Sequence, residues 1–234
     1  MLTTLGRGLF PRDCVLCGDA NTEQAICAPC AETLPLLGET CPVCALPSRE
    51  ARICGRCLTR PPHFNHTLAA WAYHYPIDRL VQSFKFHHRL DLAPWLGAAL
   101  ANKILFSGLQ LGDYVMVAMP MHRSRLIERG FNQALEIARC VGPIAKGALY
   151  AVEKHRQTRH QSELPLSERG ANVRGAFRCL RSFAGTTVVV VDDVMTTGAS
   201  LNELARILKL AGAAEVVNLV VARTLPFKEY LISR

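Results

Sequence analysis

The sequence predicts an α/β protein in which a parallel sheet carries helices on both faces and a small metal-binding module precedes it. Two apolar runs, 187–191 and 216–221, are continuous, as expected of strands buried on both faces. Between them, residues 201–210 repeat apolar side chains with helical spacing and end before Gly212. This strand–helix–strand order is typical of a parallel sheet. A cluster of cysteines near the amino terminus predicts the separate module.

Eight of the ten cysteines form four CxxC pairs, with nine residues between the first two pairs and nine between the last two. The unit therefore repeats with a period of 27 residues. A CxxC turn directs two thiolates at one metal ion, so two turns complete a tetrahedral zinc site with no open position. The predicted ligands of two structural zinc ions are Cys14, Cys17, Cys27, Cys30, Cys41, Cys44, Cys54 and Cys57.

Two other interpretations of the cysteines are weaker. A disulfide framework needs an oxidising compartment, which nothing in the sequence indicates. A redox CxxC needs one pair beside a βαβ unit rather than four pairs at repeated spacing. Which pairs share a zinc ion stays open, because sequential and interleaved arrangements both use all eight thiolates.

The boundary between the two parts is predicted at residue 62. Pro61 and Pro62 follow the last cysteine pair and hold the chain extended. The zinc module is therefore predicted to span residues 1–62, and the α/β domain residues 63–234.

The remaining elements of the α/β domain follow from its apolar patterns. Residues 79–104 are predicted to be helical, with a break at Pro94. Residues 115–119 form a short apolar strand that ends at Pro120. Residues 132–141 have the spacing of an amphipathic helix.

Length and composition exclude several classes of protein. The chain has 234 residues, of which 50% are hydrophobic and 20% charged, and it is too apolar to be disordered. No apolar run approaches the roughly 18 residues that a membrane span needs. The opening segment lacks the apolar stretch of a secretory signal. We therefore expect a cytoplasmic protein without a membrane span.

The net charge of +8 lies entirely in the α/β domain, because residues 1–62 carry six basic and six acidic side chains. Two zinc ions, each held by four thiolates, lower the net charge to about +4. A basic domain suits nucleic acid and phosphorylated small molecules equally.

The candidate ligand site lies in residues 188–200, VVVVDDVMTTGAS. Ligands of open α/β sheets bind at the carboxyl ends of the strands, where this segment turns from strand to helix. Backbone N–H groups, hydroxyls and a helix N-terminus suit a phosphate monoester. Asp192 and Asp193 are positioned to accept hydrogen bonds from the two vicinal hydroxyls of a ribose. The alternative is a strand end with acidic residues and an ordinary helix cap. The predicted phosphate loop consists of Thr196, Thr197, Gly198, Ala199 and Ser200.

This segment resembles the signature of type I phosphoribosyltransferases, which bind 5-phosphoribosyl 1-pyrophosphate (PRPP). The chain as a whole is similar to the ComF/GntX family, in which a double zinc ribbon precedes a phosphoribosyltransferase-like domain. Further stretches that match the family are PMHR at 120–123, RGFNQ at 129–133, and Thr158, Gln161, Leu164, Glu168, Arg169, Asn172, Val173 and GAF at 175–177.

The resemblance implies a magnesium-dependent PRPP site. A loop after an early strand contacts pyrophosphate in this fold, which here corresponds to residues 118–123 and includes Met121, His122 and Arg123. Arg123 is expected to stabilise the departing pyrophosphate, and Asp192 and Asp193 to orient the ribose. A basic lid within 154–181 is expected to close over the site.

The resemblance leaves the reaction open between three functional classes. These are a phosphoribosyltransferase, a PRPP or nucleotide sensor without turnover, and a factor that handles single-stranded DNA. Thr196 occupies the position at which many purine-using relatives carry an acid, so the acceptor is not specified. The family implies a link to competence, DNA uptake and DNA utilisation, with single-stranded DNA and competence-machinery proteins as candidate partners.

Overall fold

The structure is a computed structural model that describes residues 13–20, 22–109, 114–141, 150–158, 165 and 168–226. Its helices and strands, in chain order, are α1 (Ala28–Glu32), α2 (Gly55–Thr59), β1 (His66–Ala72), α3 (Ile77–Phe86), α4 (Ala93–Leu105), β2 (Tyr114–Ala118), α5 (Arg123–Arg129), α6 (Gln133–Cys140), β3 (Val152–Lys154), α7 (Arg169–Val173), β4 (Phe177–Cys179), β5 (Thr187–Met195), α8 (Ala199–Leu210) and β6 (Glu215–Arg223).

Four parallel strands form the central sheet in the order β1-β6-β5-β2. In the middle of the sheet, Val189 of β5 pairs with Met116 of β2 on one side and with Val217 of β6 on the other. Strands β3 and β4 form a separate antiparallel pair. The parallel sheet predicted from the sequence is confirmed.

Both faces of the sheet are covered, as the continuous apolar strands predict. Val189 and Val191 of β5 pack in one core cluster with α3, α4 and α6, whereas Val188 and Val190 pack in a second cluster with α8 and the β3–β4 pair. All four valine side chains are fully buried. The pleat of one strand therefore supplies both cores.

Strand β1 was not predicted, and it forms one edge of the sheet. The two halves of the zinc module, residues 14–40 (the first cysteine module) and 41–62 (the second), cover this edge. The backbone N–H of Ala72 donates to the carbonyl of Pro35 at 2.8 Å, and that of Thr67 donates to the carbonyl of Pro42 at 3.0 Å. The Thr67 hydroxyl donates to the carbonyl of Val43 at 2.7 Å. Through these bonds, backbone groups on the free side of β1 find hydrogen-bond partners outside the sheet.

The predicted break of the helical segment 79–104 is in the wrong place. Helix α3 ends at Phe86, and a 3₁₀ turn, Leu90–Leu92, precedes α4. His88 between them has φ +52°, which no helix continues. Pro94 lies in the first turn of α4, where the missing N–H costs nothing.

The other predicted elements agree closely with the structure. Segment 115–119 corresponds to β2, 132–141 to α6 and 201–210 to α8. The strand predicted at 187–191 continues to Met195, beyond the apolar run.

None of the helices in the described ranges combines the length and the apolarity needed to cross a bilayer. Helix α4, with 13 residues, is well below the roughly 20 that a span requires.

Gly97 allows α4 and α6 to approach closely, and we predict that Gly97→Ala destabilises the protein by about 1–3 kcal/mol. A Cβ atom at this position would lie 2.5 Å from the Cβ of Cys140 and 2.7 Å from its carbonyl carbon, so helix backbone would have to move. Denaturant unfolding of the zinc-loaded protein measures the loss. Gly38→Ala is the control, because a Cβ there meets nothing within 4 Å. Equal stability of the two variants would contradict the prediction.

Candidate metal centres and ligand site

The eight cysteines of the CxxC pairs form two separate clusters, each from one copy of the 27-residue repeat. In both clusters all four Sγ atoms lie within 4.8 Å of one another. The sequential arrangement is therefore the one adopted, and the interleaved arrangement is not. The first cluster consists of Cys14, Cys17, Cys27 and Cys30, and the second of Cys41, Cys44, Cys54 and Cys57.

The geometry of both clusters fits zinc. A tetrahedron with zinc–sulfur bonds of about 2.3 Å has edges of about 3.8 Å. The Sγ atoms of Cys17 and Cys27 are 3.7 Å apart, and those of Cys44 and Cys54 are 3.6 Å apart. Four sulfur ligands leave no position for substrate, so a zinc ion in either cluster is structural.

Equivalent backbone groups support the first thiol of each cluster. The N–H of Cys27 donates to the Sγ of Cys14 at 3.4 Å, and the N–H of Cys54 donates to the Sγ of Cys41 at 3.3 Å. Burial raises the pKa of both thiols, but hydrogen bonds from backbone N–H groups outweigh it. The resulting pKa is about 6 for Cys14 and about 7 for Cys41. Both thiols are therefore prepared to bind a metal as thiolates.

Strand β5 carries the predicted phosphate loop to the carboxyl edge of the sheet. Gly198 has φ +80° and turns the chain into α8, and the N–H of Ala199 donates to the Thr197 hydroxyl at 3.3 Å. The adjacent strand β2 brings the predicted pyrophosphate loop to the same edge. There, the N–H of Met119 donates to the carbonyl of Val191 at 2.8 Å.

The two acidic side chains at the end of β5 leave opposite faces of the strand, because successive residues alternate. Asp193 meets α3, where its Oδ2 lies 2.8 Å from the Nζ of Lys85. Asp192 lies on the side of the β3–β4 pair, near Lys154. Burial, together with the charge of Asp193, raises the pKa of Asp192 to about 7. Burial also lowers the pKa of Lys154 to about 8.

A cavity of about 160 Å³ opens between the two loops. The predicted site residues that line it are Met121, His122, Asp192, Asp193 and Ser200. Arg123 is exposed at the start of α5 and does not line this cavity. Thr197, Gly198 and Ala199 line a second, larger cleft. Thr196 contributes its carbonyl to a hydrogen bond with Arg223.

The cavity also contains residues beyond the predicted site residues; of these, Lys154 belongs to the predicted lid, and Arg125 and Arg129 lie close to Arg123 in the sequence. The basic ones are Lys85, Arg125, Arg129 and Lys154. Gln133 is only 3% exposed, and its Nε2 has no hydrogen-bond partner among the described residues. The preceding Asn132 caps α6 and donates to the carbonyl of Met119 at 3.1 Å. The RGFNQ motif, noted only as a match, was the available signal for Gln133.

The larger cleft, about 840 Å³, separates the second cysteine cluster from α7 and α8. Its basic side chains are Arg56, Arg60, His63, Arg174, Arg206 and Arg223. Arg206 pairs with Glu203 at 2.8 Å. Within the described part of the chain, Arg60 and Arg174 form no ion pair and are exposed. The predicted basic lid borders this cleft in part, but its residues 159–164 and 166–167, which include Gln161 and Leu164, lie outside the described residues.

Comparison with protein families supports both halves of the sequence analysis. Residues 5–58 match the family described as double zinc ribbon domain. Residues 132–225 match the family described as phosphoribosyl transferase domain. The first match contains both cysteine clusters, and the second contains β5 and the loop that follows it.

Three named proteins resemble the chain over most of its length. The chain is 34% identical over 216 residues to DNA utilization protein YhgH of Salmonella typhimurium, covering 88% of this chain and 93% of that protein. It is 28% identical over 181 residues to Competence protein F of Haemophilus influenzae, covering 71% and 76%. It is 24% identical over 240 residues to Competence protein ComFC of Bacillus subtilis, covering 93% and 97%.

The raised pKa of Asp192 predicts a pH-dependent loss of stability. A carboxyl group with a pKa of about 7 in the folded protein and an ordinary value when unfolded destabilises the fold as the pH rises from about 4 to 7. We expect the free energy of unfolding of Asp192→Asn to exceed that of the wild type by about 1–3 kcal/mol at pH 8, and by clearly less at pH 4.5. Urea unfolding at both pH values, without added ligand, measures this. The exposed Asp19→Asn is the control, and an unchanged pH profile in Asp192→Asn would contradict the assignment.

Proposed function

The chain belongs to the ComF family, in which a double zinc ribbon precedes a phosphoribosyltransferase domain, and from this premise we propose that it binds PRPP or a related phosphoribosyl compound at the carboxyl edge of its sheet. One observation carries the proposal: the two acidic side chains at the end of β5, and Ser200 at the end of the loop that follows, meet several basic side chains around one cavity. We also propose the division at residue 62 and a cytoplasmic location, where thiolates stay reduced.

In this proposal each part of the ligand has its own contacts. The 5′-phosphate binds the loop 196–200 through backbone N–H groups and hydroxyls at the start of α8. Asp192 and Asp193 accept hydrogen bonds from the ribose hydroxyls, which requires Lys85 to move or to share Asp193. The pyrophosphate lies against residues 119–122.

In this proposal, cations that line the cavity stabilise the pyrophosphate, and Arg123 outside its lining adds a further positive charge. Arg125 and Lys154 line the cavity beside it, and the Arg125 guanidinium is oriented by a 2.9 Å bond to the carbonyl of Thr158. Lys85 adds a third cation on the side of α3. Arg123 stays in the proposal as a cation at the start of α5. Positive charges that converge on one cavity favour a ligand with several phosphate charges.

Magnesium fits this site only as a partner of the ligand. The carboxylates among the described residues that line the cavity are Asp192 and Asp193, so most of the ion's six ligands would come from pyrophosphate and water, as Mg²⁺ prefers. When bound, the ion neutralises charge on the pyrophosphate.

Transfer would break the bond between C1 of the ribose and the pyrophosphate oxygen, and the electron pair would leave with the pyrophosphate. A nucleophilic acceptor, usually a nucleobase nitrogen, would form the new bond at C1 and release its proton. Arg125, Lys154 and Lys85 stabilise the negative charge that develops on the leaving group. The same contacts serve a sensor that binds the ligand without turnover, and turnover separates the two functions.

We predict magnesium-dependent binding of PRPP to the zinc-loaded protein and its loss in Asp192→Asn/Asp193→Asn. Calorimetric titration with and without magnesium measures the affinity, and we expect the double variant to bind at least 100-fold more weakly because it loses charge-assisted hydrogen bonds. Asp19→Asn/Asp78→Asn is the matched control. Unchanged affinity in the site variant, or no binding to the wild type, would refute the proposal. Release of pyrophosphate with bases and oligonucleotides as acceptors then distinguishes a transferase from a sensor.

A second candidate function is favoured by the larger cleft: contact with single-stranded DNA, in keeping with a role in DNA utilisation. Arg60 and Arg174 line this cleft with exposed side chains, and guanidinium groups suit a phosphate backbone. Because its relatives include Competence protein F and Competence protein ComFC, proteins of the competence machinery are candidate partners.

For this function we predict that Arg60→Ala/Arg174→Ala weakens binding of a single-stranded oligonucleotide. Loss of two phosphate contacts makes the negative slope of log K against log salt concentration less steep by about 1.4. Fluorescence anisotropy over a salt series measures it, with the exposed pair Arg49→Ala/Arg79→Ala as a control of equal charge. An equal loss in both variants would mean that the cleft has no special role.

A further inference from the structure

Arg223, the last residue of β6, is the largest fully buried side chain among the described residues. Its Nε donates to the carbonyl of Cys44 at 2.8 Å, and its Nη1 donates to the carbonyl of Met195 at 2.9 Å. The same nitrogen also contacts the carbonyls of Thr196 and Thr224. One guanidinium thus gathers carbonyl groups from three segments of the chain.

Two of these segments belong to different sites. Cys44 is a member of the second cysteine cluster, whereas Met195 and Thr196 are where β5 becomes the phosphate loop. A buried guanidinium that loses its acceptors pays a large desolvation penalty, so the three segments are held together strongly. A shift of the Cys44 carbonyl therefore changes the position of the carbonyls that begin the loop.

A second contact links the same two sites. Arg56 lies on α2 between Cys54 and Cys57, and its Nη2 approaches the carbonyl of Thr197 at 3.4 Å. Further along, the N–H of His63 donates to the side-chain carbonyl of Asn202 in the first turn of α8 at 2.7 Å. The first contact connects the second module to the loop, and the second connects the residue directly after that module to the helix that follows the loop.

The first cysteine cluster is a natural comparison. Its residues pack in the core cluster on the side of α3 and α4, together with Trp71. The backbone N–H of Cys14 donates to the carbonyl of Asp19, and that of Cys27 donates to the Sγ of Cys14, so these bonds stay within the first module. The two clusters thus share their ligand chemistry and differ in their connection to the loop.

We propose that Arg223 is a positioning residue for the phosphate loop, and that through it zinc binding at the second cysteine cluster and ligand binding at the loop strengthen each other. The ligand half of this inference rests on the proposed function, whereas the positioning of the loop by Arg223 does not. Because coupling between two binding sites is reciprocal, bound ligand raises the affinity for zinc by the same factor by which bound zinc raises the affinity for ligand.

The coupling is tested by zinc release from the full-length, zinc-loaded protein into excess chromophoric chelator. We expect saturating PRPP with magnesium to slow the release of one zinc ion at least fivefold and to leave the other unchanged. Cys17→Ser, which removes one ligand of the first cluster only, identifies the release phase of that site. In Arg223→Met we expect the zinc ion of the second cluster to be released at least tenfold faster than in the wild type, and PRPP no longer to slow its release.

Conservative and control variants separate positioning from general destabilisation. Arg223→Lys keeps the charge and one donor group, so it is expected to restore part of the ligand-dependent protection. Arg206→Met removes another arginine of the same cleft, one that bonds Glu203 rather than the loop, and leaves both release phases as in the wild type. If PRPP binds the wild type but protects both zinc ions equally or neither, the coupling is refuted.

Hydrogen exchange of the loop amides distinguishes failure of this inference from failure of the proposed function. In Arg223→Lys, without ligand, we expect amides 196–200 to exchange at least tenfold faster and the central amides of β5 to exchange at the wild-type rate. If PRPP does not bind the wild type, the proposed function and the ligand coupling fall, but faster loop exchange still supports positioning. Wild-type exchange in the loop of both Arg223 variants would refute positioning.

Discussion

The open edge of the parallel sheet is the constraint on which the rest of the structure depends. Strand β1 pairs with β6 on one side only, and a free strand edge exposes backbone groups that need partners. The cysteine modules supply them: Pro35 accepts from Ala72, and Pro42 accepts from Thr67. Because short segments of this kind hold little apolar surface of their own, we expect zinc binding to be coupled to completion of the sheet during folding.

This arrangement explains why the zinc-binding unit occurs twice. Residues of the first module, such as Ile26 and Leu34, join the core on the face of α3 and α4. Residues of the second, such as Val43 and Ala45, join the core on the face of α8. Each copy therefore covers one face beside the same edge strand, and the second copy also reaches the loop after β5. The cysteine modules are therefore part of the architecture that holds the candidate ligand site.

The electrostatics of the ligand site follow from the pleat of β5. Alternation sends Asp192 and Asp193 to opposite faces, and each face supplies a lysine, Lys154 or Lys85. Ionisation of Asp192 is opposed by its burial and by its neighbour. Cations from neighbouring loops and helices surround the acids, so the site suits a ligand that carries phosphates and hydroxyls together.

The sequence by itself determined the features that depend on neighbours along the chain: eight cysteines at repeated spacing, the apolar strands 187–191 and 216–221, and the acids and small residues at 192–200. It did not predict β1, it left open which cysteine pairs share a zinc ion, and it did not place Lys85 or Gln133 among the site residues. Only the tertiary structure decided these, because they rest on contacts between distant segments. Thr67 lies on the edge strand, and its partners Pro42 and Val43 come from the second module. Arg223 joins Cys44 to the loop across 179 positions of chain, and no local pattern records that contact.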